Sequence, residues 1–134
     1  MEKTFIDKLA FIEIKDRKLL VTISKGKDVW YIPGGKRDGS ESDTDALIRE
    51  VREELSVEID PKTIISYGIF EAQAHGKPEG TVVRMTCYTA HYLGTLAPSS
   101  EIKAIDWFTS VDVDRTSPVD HLIFADLKSK GLID

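Results

Sequence analysis

A chain of 134 residues with 41% hydrophobic content has the size that buries one core, so a single domain spanning residues 1–134 is expected. Its formal charge of −5, from 18 basic and 23 acidic residues, argues against the basic face by which a nucleic-acid polymer is held through counterion release. No apolar run reaches the ~18 residues of a membrane span, and MEKTFIDKLAFIEIK carries charges inside its apolar part, which excludes a spanning helix and a signal peptide and makes the cytoplasm the expected location.

Cys87 is the single cysteine, so neither an intramolecular disulfide nor a thiolate metal site can be built. Within the strand-like run TVVRMTCYTAHYL it reads as a buried, inert thiol.

In chain order, residues 8–14 (KLAFIEI) and 19–24 (LLVTIS) alternate as strands around an Asp16-Arg17 turn, which predicts an antiparallel hairpin. Residues 29–32, VWYI, read as a third strand closed by Pro33, because proline cannot donate to a ladder. One of the two aromatics there, with Trp30 as the candidate, is placed to stack on a base; the alternative is a core position. Residues 63–72 form a further strand, HGKPEG (75–80) a polar loop, residues 81–93 a long strand, residues 94–100 a loop and KAIDWF (103–108) a last strand. Ser117-Pro118 opens a final helix with Val119, Leu122, Ile123 and Leu127 as its apolar stripe, ended at Gly131. The order βββα-βββα gives an α+β domain with a mixed sheet.

The most informative stretch lies between these runs. Residues 42–55 are predicted helical: Ser42 or Asp43 can cap the first turn, Asp45 adds negative charge at the positive end of the dipole, and neither glycine nor proline interrupts the remaining turns. Leu47, Ile48, Val51 and Leu55 share one stripe that must pack on a sheet. At about 100° per residue, Glu50, Glu53 and Glu54 project within an arc of roughly 100° beside that stripe. Like charges at this spacing cost a helix a few tenths of a kcal/mol, so a solvated face neutralised by Arg49 and Arg52 is one account and a metal site another.

The spacing upstream decides between them. Gly35, five residues, Glu41, seven residues, Arg49-Glu50-Val51, one residue, Glu53-Glu54, one residue, Ser56-Val57 resembles the Nudix box, here residues 35–57, the signature of hydrolases acting on nucleoside diphosphates linked to another moiety. One position departs: Ser56 stands where the family has glycine, just after the helix, where a left-handed residue is often wanted and a non-glycine costs up to about 1 kcal/mol. Serine there removes no metal ligand.

The resemblance implies a Nudix α/β/α sandwich with a mixed, largely antiparallel sheet, and a nucleotide pyrophosphohydrolase using Mg²⁺, with Mn²⁺ as an alternative. Hard cations with oxygen ligands suit attack on a charged phosphoanhydride. By resemblance the metal ligands are the Gly34 carbonyl, Glu50, Glu53 and Glu54. Glu50 doubles as a candidate base, though which glutamate serves as base stays open, and Arg49 and Glu41 form a supporting pair. Glu101, six residues ahead of Trp107, is a further metal ligand or base, or else a solvated loop acid. Arg84, mid-strand, meets phosphate if it faces inward and an acid if it faces outward. His75 belongs to a loop that could cover the site; His91 and His121 invite no special role. No subfamily marker appears in SYGIFEAQAHGKPEG, which favours a MutT-like reading: a nucleoside triphosphate, oxidised ones included, cut to monophosphate and pyrophosphate. The alternatives are an ADP-ribose or nucleotide-sugar hydrolase and a non-catalytic nucleotide sensor. A small nucleotide is the expected partner, with no polymer and no membrane, and a homodimer is left open.

Overall fold

The computed structural model describes residues 2–134. Its strands are β1 (Thr4–Phe11), β2 (Ile14–Lys15), β3 (Lys18–Ser24), β4 (Gly34–Gly35), β5 (Glu58–Ile59), β6 (Ile65–Gln73), β7 (Thr81–Thr89), β8 (Tyr92–Leu93) and β9 (Ile102–Phe108); its helices are α1 (Asp43–Leu55) and α2 (Pro118–Ser129). Four strands lie in the order β4-β1-β7-β6 and three in the order β2-β3-β9, with β5 and β8 as a small pair. Among the described strands only β1 and β7 run parallel, Thr4 opposite Thr81 through Phe11 opposite Tyr88, so the sheet is mixed and largely antiparallel, as expected.

The two helices cover opposite faces, and the alternation of β1 shows why. Leu9 and Phe11 join Leu20 in the cluster packed by Ala46, Leu47, Val51 and Leu55 of α1. Ala10 and Ile12 join Leu19 and Val21 in the cluster packed by Val119, Ile123, Phe124 and Leu127 of α2. Successive residues of a strand point to opposite faces, so a strand with both faces covered reads as an unbroken apolar run. That is the α/β/α sandwich.

Four expectations need correction. The first hairpin survives only at its turn, where Ile14 pairs with Leu19 and Lys15 with Lys18 around Asp16 and Arg17, both at positive φ. Before it, β1 leaves β3 for a parallel partner more than seventy residues away, because a strand buried on both faces belongs in the middle of the main sheet. Residues 29–32 form no regular strand: Tyr31 bridges Thr22 and Trp30 bridges Thr116 singly. The long run to Leu93 breaks after Thr89, and Tyr92 and Leu93 turn to pair with β5. In α2, Leu122 is 44% exposed while Phe124 is buried. Positions 119, 120, 123, 124 and 127 centre the buried arc, and at about 100° per residue Leu122 falls roughly 130° from that centre.

Candidate active site

Helix α1 begins where the sequence places it. Ser42 at the N-cap accepts from the Asp45 amide at 3.1 Å, and Asp43 and Asp45 lie in the first turn. Its end is equally defined: Ser56 takes the left-handed conformation at φ 64°, with its amide on the Arg52 carbonyl. The serine hydroxyl donates to the Ala97 carbonyl at 3.2 Å, so the residue standing in for glycine gains a tether to the loop before β9.

The glycine pair brings the chain against this helix. In β4, Leu9 faces Gly35 and Ala10 faces Gly34, while the Phe11 amide bonds the Pro33 carbonyl at 2.8 Å. Alternate residues of an antiparallel pair turn both backbone groups away from the ladder, and Gly34 is one of these: its amide donates to Glu54 Oε1 at 3.0 Å. A Cβ on Gly34 would fall 1.9 Å from the Leu9 carbonyl oxygen, and one on Gly35 would fall 2.6 Å from the Glu50 carboxylate. Both positions therefore require glycine, the second because a carboxylate occupies the space.

The carboxylates have distinct surroundings. Glu54 is 7% exposed, and burial pushes its pKa up to about 8 against the Gly34 amide bond, with the charges of Glu50, Glu101 and Glu53 raising it further. Glu50 is also raised, by burial first, although Arg49 opposes this at 3.0 Å. Glu53 is more open and meets Arg49 at 3.4 Å. Arg49 itself is held bidentately by Glu41, Nε to Oε2 and Nη2 to Oε1, both 2.9 Å, and Nη2 also donates to the Lys36 carbonyl at 3.0 Å. Glu41 additionally accepts from the Asp38 amide at 2.7 Å, and the Arg49 hydrogen bonds together with that amide hold its pKa down at about 2. Fork-to-carboxylate pairing of this kind fixes orientation as well as charge. Arg49 and Glu41 thus join the glycine-helix loop to the helix flank that carries Glu50 and Glu53.

Glu101 is exposed and accepts from the Ser100 hydroxyl at 2.7 Å, yet its charge is felt by both Glu50 and Glu54. Glu54 thus senses the charges of Glu50, Glu101 and Glu53, and Glu50 those of Glu53 and Glu101, with Arg49 paired to Glu50 and Glu53. Among the described residues no three acids or imidazoles already surround a single point, since Glu50 and Glu53 lean on Arg49 and Glu54 on an amide. The donor set is nonetheless all oxygen with a surplus of negative charge, and burial holds one member, Glu54, well above the usual carboxylate range. That chemistry fits a hard divalent ion.

A cavity of 190 Å³ opens beside Gly34, Gly35 and Glu54 and is lined further by Lys8, Thr22, Tyr31, Ile32 and Met85. A narrower one of 70 Å³ shares Lys8, Tyr31 and Met85 with it and continues to Ser117, Val119, His75 and Lys77. A larger hollow of 460 Å³, between Ile12, Thr63, His91 and Tyr92, holds none of the box glutamates.

Two expected substrate contacts are not brought to this place. Trp30 packs on Phe108 at 5.2 Å between ring centres, under Arg115, and its neighbour Tyr31 is the aromatic that lines the cavities. Arg84 faces outward, paired with Glu71 at 2.7 Å and lying over Phe5 at 4.2 Å, because Val83, Met85 and Cys87 occupy the alternate, buried positions of β7. Cys87 is buried, with its thiol pushed up to about 12 by burial. His75 lies at the cavity rim, and His121 bonds the Thr116 carbonyl. Lys8, which lines both cavities, and the buried Asp120 escape the sequence reading: a lysine in an apolar strand and an aspartate in a first helical turn look like a solvent contact and a cap.

Comparison with known proteins accords with this geometry. The NUDIX domain family pattern matches residues 9–127. The solution structure of the E. coli ORF135 protein is similar at TM-score 0.67 and 24% identity, covering 96% of this chain and 94% of that one. The MutT NUDIX hydrolase of Burkholderia pseudomallei is similar at TM-score 0.73 and 20% identity, covering 92% and 98%; at these identities the likeness speaks for the fold. A human protein named 8-oxo-dGDP phosphatase NUDT18 is 34% identical over 58 residues, which span 42% of this chain and only 18% of that protein. With the family pattern matched along nearly its whole length and its box residues assembled between β4 and α1, the chain belongs to the Nudix family.

Proposed function

We propose that the protein hydrolyses a phosphoanhydride bond of a nucleotide with the help of a divalent cation, Mg²⁺ or Mn²⁺, and that nucleoside triphosphates cut to monophosphate and pyrophosphate are its main substrates. The observation that carries this reading is the set Glu50, Glu53 and Glu54, three carboxylates on one helix flank beside a cavity and next to a glycine turn whose backbone is turned toward them. Such a set has no structural purpose that apolar residues would not serve better, since clustered, partly buried carboxylates oppose folding.

Glu50, Glu53, Glu54 and the Gly34 carbonyl would hold the cation, with Glu101 able to join from its loop. When bound, the cation supplies charge neutralisation for the phosphate oxygens and a lower pKa for water. Arg49 opposes the rise that burial imposes on the Glu50 pKa and aims its carboxylate, and Glu41 keeps Arg49 in place. Glu50 then accepts the proton of the attacking water as the new P–O bond forms and the bridging P–O bond breaks. Tyr31 and Met85 offer a flat apolar wall farther along the cavity, suited to a base.

The activity for which the human relative is named adds 8-oxo-purine nucleotides, diphosphates included, to the substrates worth offering. The deciding experiment is a panel of nucleoside di- and triphosphates, 8-oxo-dGDP and 8-oxo-dGTP, ADP-ribose and nucleotide sugars, with products resolved by chromatography with and without Mg²⁺. Mg²⁺-dependent release of a nucleoside monophosphate is expected. Binding without hydrolysis across the whole panel would replace the enzyme by a nucleotide sensor.

A further inference from the structure

The loop that joins the glycine pair to α1, residues 36–42, is held by two sets of side chains. One is the Arg49–Glu41 pair already described. The other uses positions that the box spacing leaves open. The Asp43 carboxylate accepts from Arg37 Nε at Oδ1 and from the Tyr88 hydroxyl at Oδ2, both at 2.6 Å. Tyr88 belongs to β7, so the first residue of α1 is tied to the sheet on one side and to the loop on the other. The Arg37 and Asp43 side chains are each only 33% exposed, which spares the pair much of the solvent screening that makes surface ion pairs weak. Tyr88 first, and Arg37 with it, hold the Asp43 carboxyl below its usual range against burial, while burial and the Asp43 bond push the Tyr88 phenol up to about 12.

Helix capping does not call for this arrangement. Ser42 supplies the N-cap oxygen, and the exposed Asp45 already places a negative charge in the first turn. What the arrangement does reach is Arg49, because Arg37 stands between two residues that touch the Arg49–Glu41 pair. The Lys36 carbonyl accepts from Arg49 Nη2 at 3.0 Å. Asp38 meets Arg49 Nε at 3.5 Å through its carboxylate and Glu41 Oε1 at 2.7 Å through its amide. Arg49 in turn donates from Nη1 to Glu50 at 3.0 Å and to Glu53 at 3.4 Å. Tyr88, Asp43 and Arg37 therefore begin a continuous line of contacts that ends on two of the box carboxylates.

We propose that Tyr88, Asp43 and Arg37 are positioning residues for the cation site: Tyr88 clamps Asp43, Asp43 clamps Arg37, and the residues on either side of Arg37 then hold Arg49 where it aims Glu50 and Glu53. The proposal rests on the hydrolase reading for the use of the site, and its own content is what preorganises that site. The three residues act only through Arg49.

The probe is Mn²⁺, its free concentration read by electron paramagnetic resonance, with wild type, Tyr88→Phe, Arg37→Gln and Arg37→Lys. Values of kcat and KM for the best substrate of the nucleotide panel are measured beside it. Loss of an outer partner of a metal ligand costs about 10–100-fold in affinity or activity, and the line here is longer, so the low end applies. Tyr88→Phe and Arg37→Gln should each raise the Mn²⁺ dissociation constant by about 10-fold and lower kcat more than they raise KM. Arg37 meets Asp43 through one nitrogen, which an ammonium can supply, so Arg37→Lys should bind Mn²⁺ as wild type does. Removing the Arg37 charge would by Coulomb attraction alone tighten a cation, and a role confined to folding would lower the melting temperature while leaving the affinity of the folded protein unchanged. In an Arg49→Lys background the same two substitutions should change the constant by less than about 2-fold, because residues acting through one network are not additive. Wild-type or tighter Mn²⁺ binding in whichever of Tyr88→Phe and Arg37→Gln keeps the wild-type circular dichroism spectrum overturns the proposal. Equal losses in the two backgrounds overturn it too, as does a wild type that binds no Mn²⁺. If the wild type binds Mn²⁺ and hydrolyses nothing, the hydrolase reading falls alone, and the same affinities still decide the role of the three residues.

Discussion

Glu54 shows how one residue can serve poorly in the fold and well in the site. It contributes a buried carboxyl where Leu or Met would pack, accepts one amide hydrogen bond from Gly34, and titrates near 8 instead of in the usual carboxylate range. Glu54→Gln keeps the shape and an acceptor for the Gly34 amide while removing the charge. We expect it to fold as wild type and to lower kcat by about 10²-fold or more, in keeping with loss of a charged group that acts on a developing transition state; unaltered turnover in steady-state assays would remove Glu54 from the ligand set. Arg49 poses the complementary question. Its planar fork meets both oxygens of Glu41 and also reaches Glu50 and the Lys36 carbonyl, a geometry a lysine ammonium cannot copy. Arg49→Lys should therefore lose about 10-fold or more in kcat despite the retained charge, with a lowered melting temperature. Equal activity would mean that charge alone matters and that the bidentate pair with Glu41 is incidental.

At the level of elements, the loop of residues 94–101 is tied to the end of α1 more closely than its polar composition suggests. Ala97 donates to the Leu55 carbonyl at 3.0 Å and the Ser99 amide to the Glu54 carbonyl at 3.2 Å, while the Ser99 hydroxyl donates to the Glu53 carbonyl. These are carbonyls that a helix end leaves without intrahelical partners, and the residues that meet them belong to the loop that delivers Glu101. Ser56 is part of this junction: it bears the strain of φ 64° and offsets it with its bond to Ala97. Removing the strain is worth up to about 1 kcal/mol and removing the bond costs about 1 kcal/mol. Ser56→Gly should thus leave urea-measured stability within about 0.5 kcal/mol, whereas Ser56→Ala should lose about 1 kcal/mol, since it drops the bond and keeps the strain. Wild-type stability in Ser56→Ala would show that the hydroxyl contributes nothing, and equal stability of the two variants would show that the left-handed backbone costs a non-glycine residue nothing. The helix itself was legible because its signals are local: a cap at Ser42, a stripe at 47, 51 and 55, and acids at fixed intervals. The Arg49–Glu41 pair was legible only through the resemblance, since nothing in their separation of eight residues announces contact. Residues 29–32 misled because β-branched and aromatic residues suit a pleated, half-buried surface without dictating a ladder, and only the path of the chain decided that Tyr31, and not Trp30, lines the cavity.

For the whole molecule, what could not be read was long-range pairing: the alternation in residues 8–14 states that a strand exists and is silent on whether its partner is the next strand or Thr81–Tyr88. The same assembly sets how stability responds to pH. Asp120 at about 7 and Glu54 at about 8 are both raised above their ordinary values of 3.8 and 4.5, by burial first. The folded state therefore binds more protons than the unfolded chain across that interval, and ∂ΔG/∂pH is negative. Their contribution is fully present below the unfolded pKa values and is lost as pH rises through 7 and 8. Glu41, held at about 2 by Arg49 and the Asp38 amide, has the opposite sign, but its contribution disappears only as pH falls from about 4.5 toward 2 and so does not oppose the others in the neutral range. In a chelator, the melting temperature should accordingly fall between pH 5 and pH 8, with a shallower slope in Asp120→Asn and in Glu54→Gln. A cation that binds the folded chain stabilises it by mass action and competes with the Glu54 proton. Saturating Mg²⁺ should then raise the melting temperature more at pH 8 than at pH 5.5, and Glu54→Gln should flatten that difference. Mg²⁺ stabilisation equal at both pH values, or fully retained in Glu54→Gln, would place the cation away from the buried glutamate and require a different set of ligands on α1.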